Sequence, residues 1–452
     1  MRPRTLLLLA LLVAGLGAFI WLFERDMPST DDRRELESRL LPVEVDDVKV
    51  VIVERDGGSI RLERGDESDE STDREWRLTE PLVSRADGGD VRSLLSTLTG
   101  LEKKRELSEV ALSEVGLETP RLQLTIATAG NTWLLSVGSE VPATDDIVVA
   151  VEGRGAFVTS GRFVEELERE PGEWRARDIV AGDADDIQAI RSTVSAGDLV
   201  LVRQDGRFVL EEPVRDIADE EMVTELLTAL TGLEVDRFLD DESVASNLGL
   251  DPPEYEIAVT LEGREEPLVV RIGALAPEGN LRFGEAENQR FTVETDLAAI
   301  LDRPHQLWQS RDWTDLEPFE IDSVRLTVQG AEAELARFDG EWRRDGEAIP
   351  YSVARDLLDS ITDVRAERVL SGVVGTAGGD AQSLSLVIVA ADSTETLRLW
   401  PSGDGAFLAA REGRGYALEV ASETAEAVMA AVEAVRDVAS EVDSDPEPVS
   451  DG

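Results

Sequence analysis

Apolar positions along this chain follow two periods that alternate three times. Val91, Leu94, Leu95, Leu98 and Leu101 recur at i, i+3, i+4, i+7 and i+10, the single stripe of an amphipathic helix. Val223, Leu226, Leu227, Leu230 and Leu233 repeat that spacing, and Ala354, Leu357, Leu358, Ile361 and Val364 repeat it again. Ahead of each stripe stand β-branched runs at an Asp-Gly step. Val48–Glu54 and Ser59–Arg64 flank Asp56-Gly57-Gly58, Leu199–Arg203 precedes Asp205-Gly206, and Val324–Val328 precedes Asp339-Gly340. Such runs predict hairpins. Behind each stripe come further strands: Leu122–Ala127 with Thr132–Val137, Tyr255–Leu261 with Leu268–Ile272, and Leu384–Val389 with Leu397–Trp400. A last strand (156–159, 289–293, 415–420) and a closing helix (162–167, 296–301, 423–435) end each set.

The three sets share wording as well as period. Residues 96–107 read STLTGLEKKREL, 228–239 read TALTGLEVDRFL and 359–370 read DSITDVRAERVL, at offsets of 228 − 96 = 132 and 359 − 228 = 131. A period of that length is a small domain rather than a solenoid unit. Retained positions are apolar (Leu98, Leu101, Leu107 and their counterparts) while charged ones drift, so the repeat reflects packing and not a shared active site. Trp76, Phe208 and Trp342 occupy one strand position in the three copies and read as core anchors. Asp87, Asp219 and Ser352 are placed to cap the helices. Hairpin, covering helix and further antiparallel strands define an α+β class. The expected organisation is repeat modules over 41–170, 171–304 and 305–437, followed by an acidic disordered tail over 438–452.

A different pattern opens the chain. Thr5 to Phe23 is an uncharged apolar run that as a helix would cover about 28 Å, close to the hydrocarbon thickness. Arg2 and Arg4 precede it, while Glu24, Arg25 and Asp26 follow, which retains the N-terminus in the cytoplasm and exports the rest. Residues 1–23 thus read as a transmembrane anchor and 24–40 as a juxtamembrane linker. A cleaved signal peptide is the alternative; the run ending Phe19-Ile20-Trp21-Leu22-Phe23 is a poor cleavage context.

Composition narrows the chemistry. The 95 acids against 45 bases give a net charge of −50, which repels phosphate backbones and excludes nucleic acid as a partner. Lysine occurs only at Lys49, Lys103 and Lys104. The acidity is either a solvated, salt-adapted surface or a face for a basic partner or divalent cations. With no cysteine there is no disulfide and no thiolate metal site. The one histidine, His305, has no second His or Cys for a metal and no nucleophile phrase beside it. The acidic runs Asp66–Asp73 and Asp183–Asp186 lack the spacing and glycine of a calcium loop and read as solvated loops. No phosphate loop, dinucleotide fingerprint or nucleophile elbow is present, so no catalytic, cofactor or metal residue is assigned.

The ordered set of anchor, Trp76-Arg77-Leu78-Thr79-Glu80-Pro81, the helix phrase Leu94–Leu107, and Gly116-Leu117-Glu118-Thr119-Pro120 with its echo Gly249-Leu250-Asp251-Pro252-Pro253 resembles the domain of unknown function 4340 family. The third copy departs, with Gly378-Gly379-Asp380 where that phrase would stand. The resemblance implies a bacterial envelope protein, often encoded beside an ABC-type export system, and supplies no catalytic residues. The expected function is a non-enzymatic, membrane-anchored extracytoplasmic scaffold or accessory subunit of a transporter complex, with its body periplasmic or external. The alternatives are a module binding envelope polymer or peptide at the seams marked by Arg177-Asp178-Ile179 and Arg311-Asp312-Trp313, or a hydrolase using paired carboxylates.

Overall fold

The computed structural model describes residues 38–65, 76–108, 110–194, 197–240, 245–277, 279–371, 383–391, 393–402 and 405–438. The anchor expected over 1–23, most of the linker over 24–40, the acidic run Asp66–Asp73 and the tail beyond 438 lie outside these residues. Two compact units are present, one through Asp178 and one from Ile179 onward, less the turn Gly263–Glu265. The first unit holds one nine-stranded sheet and the second holds two, and their strand orders are equivalent.

In the first unit the strands are β1 (Val48–Arg55), β2 (Gly58–Arg64), β3 (Trp76–Glu80), β4 (Ser84–Arg85), β5 (Arg105–Glu106), β6 (Leu122–Thr128), β7 (Thr132–Glu140), β8 (Asp146–Val151) and β9 (Gly155–Ser160). Their order across the sheet is β4-β3-β2-β1-β6-β7-β8-β9-β5, with antiparallel neighbours throughout. Two meanders meet at β1 and β6. The helix α1 (Gly88–Thr99) leaves one edge of the sheet and delivers the chain to β5 at the other. It therefore lies across one face, and its apolar stripe fixes which face. Val91, Leu94, Leu95 and Leu98 are fully buried against inward-facing Val51, Val53, Leu62 and Leu124, while Arg92, Ser93 and Ser96 stay wet. Full burial of each such side chain contributes about 2 kcal/mol.

The two remaining modules repeat these relations. Their covering helices are Glu220–Thr231 and Tyr351–Thr362, and their central strands are Ile187–Val194 and Ile321–Val328. Each central strand begins with a register shift against its partner, at Val48/Val50, Ile187/Ala189 and Ile321/Ser323. Trp76, Phe208 and Trp342 are buried at 3%, 6% and 5% exposure, one in each core. Asp87 caps α1 by accepting from the Asp90 N–H, and Asp219 caps its helix by accepting from Met222. Ser352 does not cap the third helix. The helix starts one residue earlier, at Tyr351, and Pro350 takes the cap position without a side-chain bond.

One relation at the seams recurs three times. The residue that enters each module donates its N–H to the carbonyl at the exit of that module's helix. The bonds are Leu40 to Leu101 (2.7 Å), Ile179 to Leu233 (3.0 Å) and Trp313 to Val364 (3.1 Å). Trp174 still packs in the first core and Trp308 in the second, so the chain changes core between Trp174 and Ile179, and again between Trp308 and Trp313. Those crossings lie several residues after the starts expected at 171 and 305. Among the described residues no helix is long and apolar enough to cross a membrane.

Candidate functional site

A dense polar cluster of the second unit forms where its two modules meet. Two short elements of the second module supply Asp216, Asp219 and Glu221: the strand Asp216–Ile217 and the helix start at Asp219. The linker 310–315, the strands Phe407–Arg411 and Tyr416–Val420 and the turn between them supply the partners, with Arg365 beyond the third helix. The Asp219 side chain is fully buried. One oxygen takes the Met222 N–H at 3.2 Å, and the other takes Arg311 Nε at 2.9 Å and Arg365 Nη2 at 3.1 Å. Its negative charge sits at a helix N-terminus, where the backbone dipoles favour it before either arginine is counted. Glu221 accepts from Arg311 Nη2 at 2.7 Å, and Arg365 also reaches Asp312 at 3.4 Å.

A second layer lies deeper. Asp216 accepts the Tyr416 hydroxyl and its own neighbour's Ile217 N–H, and Arg414 Nε stands 3.5 Å from it. Arg414 donates to Asp312 O at 2.7 Å and to Asp315 at 3.0 Å. Arg411 pairs with Asp315 and, at 2.8 Å, with Glu395, which in turn accepts from Thr314 Oγ1 at 2.7 Å. Burial pushes the Asp216 carboxyl above its ordinary 3.8, against the opposing pull of Arg414, the Tyr416 hydroxyl and the Ile217 N–H. Burial also pushes the Tyr416 phenol up, Arg414 opposing.

A raised carboxyl pKa marks many catalytic acids. Here the chemistry points elsewhere, because the Asp216 oxygens are already engaged by a hydroxyl, an amide and a guanidinium. The cluster holds charge in place and joins two modules. Such a network is costly to break from one side, since each removed partner strands a desolvated charge.

Beside this cluster runs a groove of about 810 Å³. One wall is the flank of the helix Glu220–Thr231 and another is the third module's 312–318 segment. Phe208, Val223, Leu227, Leu316 and Pro318 give it apolar surface.

Arg311, Asp312 and Trp313 thus lie at the seam itself. Arg311 and Asp312 join the ion pairs, and Trp313 is buried in the third core with Nε1 donating to Ala410 O. In the first unit the matching Asp178 takes the Arg85 guanidinium. His305 is exposed at the start of the short helix His305–Trp308. Asp186 of the Asp183–Asp186 run accepts from the Asp183 N–H, so that run closes its own turn. Among the described residues no group of His, Cys, Asp and Glu is arranged to hold a metal ion. Asp216, Arg365, Arg411, Arg414 and Tyr416 were not singled out by sequence reasoning, whereas Asp219 carried a local signal as a helix cap and Arg311 and Asp312 stood in the phrase expected to mark the seam.

A family model described as "Domain of unknown function (DUF4340)" matches the chain twice, over residues 76–253 and 209–385. The two matches are displaced by 209 − 76 = 133 and 385 − 253 = 132 residues, the period of the modules. Each match begins in the strand that carries Trp76 or Phe208 and ends within the following module. No curated protein matches the chain.

Proposed function

The chain belongs to the DUF4340 family, and on that premise we propose that it is a non-enzymatic, membrane-anchored scaffold, an accessory subunit holding its sheet modules outside the cytoplasm beside a membrane transport complex. The observation that carries this reading is the seam of the second unit. There Asp216 and Asp219 of the second module pair with Arg311 of the linker and with Arg365 and Arg414 of the third module. A cluster that fixes two modules together builds a presenting surface, and the Asp216 and Asp219 oxygens are taken up inside it. The apolar run Thr5–Phe23, with arginines before it and acids after it, supports the tether and its orientation.

The test uses the full chain in its own membranes, tagged at the C-terminus and cross-linked before detergent extraction. Transport subunits are expected in the cross-linked species, and the chain is expected to resist an alkaline wash. Recovery of the chain alone after cross-linking would overturn the scaffold reading, and release by the wash would overturn the tether.

A further inference from the structure

We infer that the groove beside the second unit's seam binds a short basic peptide segment of the scaffold's partner, an inference that rests on the scaffold reading above. Three features select that guest.

The first is acidic charge, half of whose carboxylates have no ion pair among the described residues. Asp185, Glu220, Asp312, Asp315, Glu317 and Asp363 line the groove against only Arg203 and Arg207. Both arginines are committed. Arg203 donates to Ala184 O and Ile187 O, while Arg207 donates to Asp315 O and stands 4.0 Å from Glu317. Asp312 and Asp315 pair with arginines of the third module. Asp185, Glu220 and Asp363 are exposed and have no ion pair among the described residues. A guest therefore gains by bringing positive charge, and an anion or a nucleic acid is repelled.

The second feature is the apolar floor. Phe208, Val223 and Leu227 belong to the second core but also meet the groove, where Leu316 and Pro318 face them. A hydrated metal ion has no use for that surface, whereas a leucine or aromatic side chain between two basic residues does. The third is length. Glu220, Thr224 and Thr228 follow one another at single turns along the wall, a run of about 12 Å at 1.5 Å per residue. An extended peptide spans that with about four residues. The walls are held by the Asp219–Arg311 and Asp219–Arg365 bonds, so little conformational freedom is lost on binding.

The test uses the purified full chain in detergent and a fluorescein-labelled hexapeptide of alternating leucine and arginine. The leucine–glutamate peptide and spermine serve as comparisons. Fluorescence anisotropy is expected to show saturable binding of the basic peptide, at least tenfold weaker to Glu220→Lys/Asp363→Lys and weakened also by Asp185→Lys. The chain has no cysteine, so a dye on Thr228→Cys should respond to the peptide while a dye on Ser96→Cys, on the first unit's helix, should not. Equal binding to the variants, equal response at both dyes, displacement of the peptide by stoichiometric spermine, or no binding would each overturn the inference. If the double lysine variant still cross-links to the same transport subunits, the groove inference fails and the scaffold stands. If peptide binds as expected and no membrane partner is recovered, the scaffold fails by itself.

Discussion

The Arg203 guanidinium lies 4.6 Å from the centroid of the Phe208 ring, directly across one rung of a hairpin. Its two counterparts are Arg64 over Trp76 at 5.4 Å and Arg337 over Trp342 at 6.0 Å, each also a cross-strand pair. In all three the same arginine donates to a carbonyl of the turn that starts the central strand: Asp46, Ala184 or Phe319. One side chain thus covers the aromatic anchor and ties two segments of the fold.

Replacement of the anchor should therefore depend on size more than on identity. Trp342→Ala is expected to cost about 3–5 kcal/mol. Trp342→Phe, which installs the residue the second module already uses, should cost much less. Arg203→Met keeps the stem over Phe208 and removes both carbonyl bonds, an expected loss of about 1–3 kcal/mol. Urea unfolding of the variants, followed by circular dichroism, ranks them. A Phe variant as unstable as the Ala variant would show that the ring is not the anchor.

Much of this architecture is written in local pattern. The stripe through Val91, Leu94, Leu95 and Leu98 encodes both the helix and the face it buries, because a period of 3.6 admits no other element of that length. Asp87 and Asp219 announce helix starts for the same local reason. The seam is different. Tyr416 reaches Asp216 across 200 residues of chain and Arg365 reaches Asp219 across 146, and nothing in one sequence of 95 acids says which two will meet. Ser352 misled because serine is a good cap in general, while Pro350 already sets an extended backbone just ahead of the helix.

The phrase Gly116-Leu117 and its echo Gly249-Leu250 prove to be packing devices. Gly116 and Gly249 lie at φ of 70° and 69°, and each turn sits on a strand glycine, Gly138 or Gly273. A Cβ on Gly138 would stand 2.3 Å from Val115 O, and one on Gly273 would stand 2.4 Å from Leu248 O. The third module has Trp400 at that strand position, consistent with its lack of the phrase. Gly138→Ala and Gly273→Ala should each destabilise by about 1–3 kcal/mol. Gly130→Ala, where a Cβ would meet nothing within 4 Å, should stay within about 0.5 kcal/mol. Melting temperatures of the three variants decide it, and equal values for all three would sink the account.

The Ser192 hydroxyl is fully buried and has no hydrogen-bond partner among the described residues. The corresponding positions of the other central strands hold Val53 and Leu326, both core residues. Ser192→Val should stabilise the second unit by about 1–2 kcal/mol, by removing an unsatisfied polar group and filling the same space. A lowered urea midpoint would mean that the hydroxyl has a structural use.

Asp87 and Asp219 do the same local job with different reach. Asp87 accepts the Asp90 N–H, so Asp87→Ala should cost about 1 kcal/mol, the ordinary value of a cap. Asp219 adds two guanidinium partners from the third module's side of the seam. Those arginines are partly exposed, at 23% and 40%, so water recovers some of the loss. Asp219→Ala should still cost about 2–3 kcal/mol, below the full penalty for a broken buried pair. The ratio of the two effects, read from matched denaturation curves, is the observable. Equal costs would reduce Asp219 to a cap.

The buried layer gives the seam a pH signature whose sign is fixed. Burial holds the Asp216 carboxyl above 3.8, so in the folded chain it takes a proton at a pH where the unfolded chain has already released it. Folding therefore takes up a proton in the window that opens at 3.8 and extends upward. In that window the contribution of Asp216 to stability falls as pH rises, the reverse of a carboxylate whose value is depressed by its partners. Asp216→Asn cannot titrate, yet it still offers an oxygen to the Tyr416 hydroxyl, and Arg414 keeps Asp315 at 3.0 Å. The variant should consequently gain on the natural chain between pH 4 and pH 7. Denaturation midpoints of both proteins at those two values give the comparison directly. A natural chain that gains on Asp216→Asn as pH rises would place the Asp216 value below 3.8, and Arg414 would then outweigh burial.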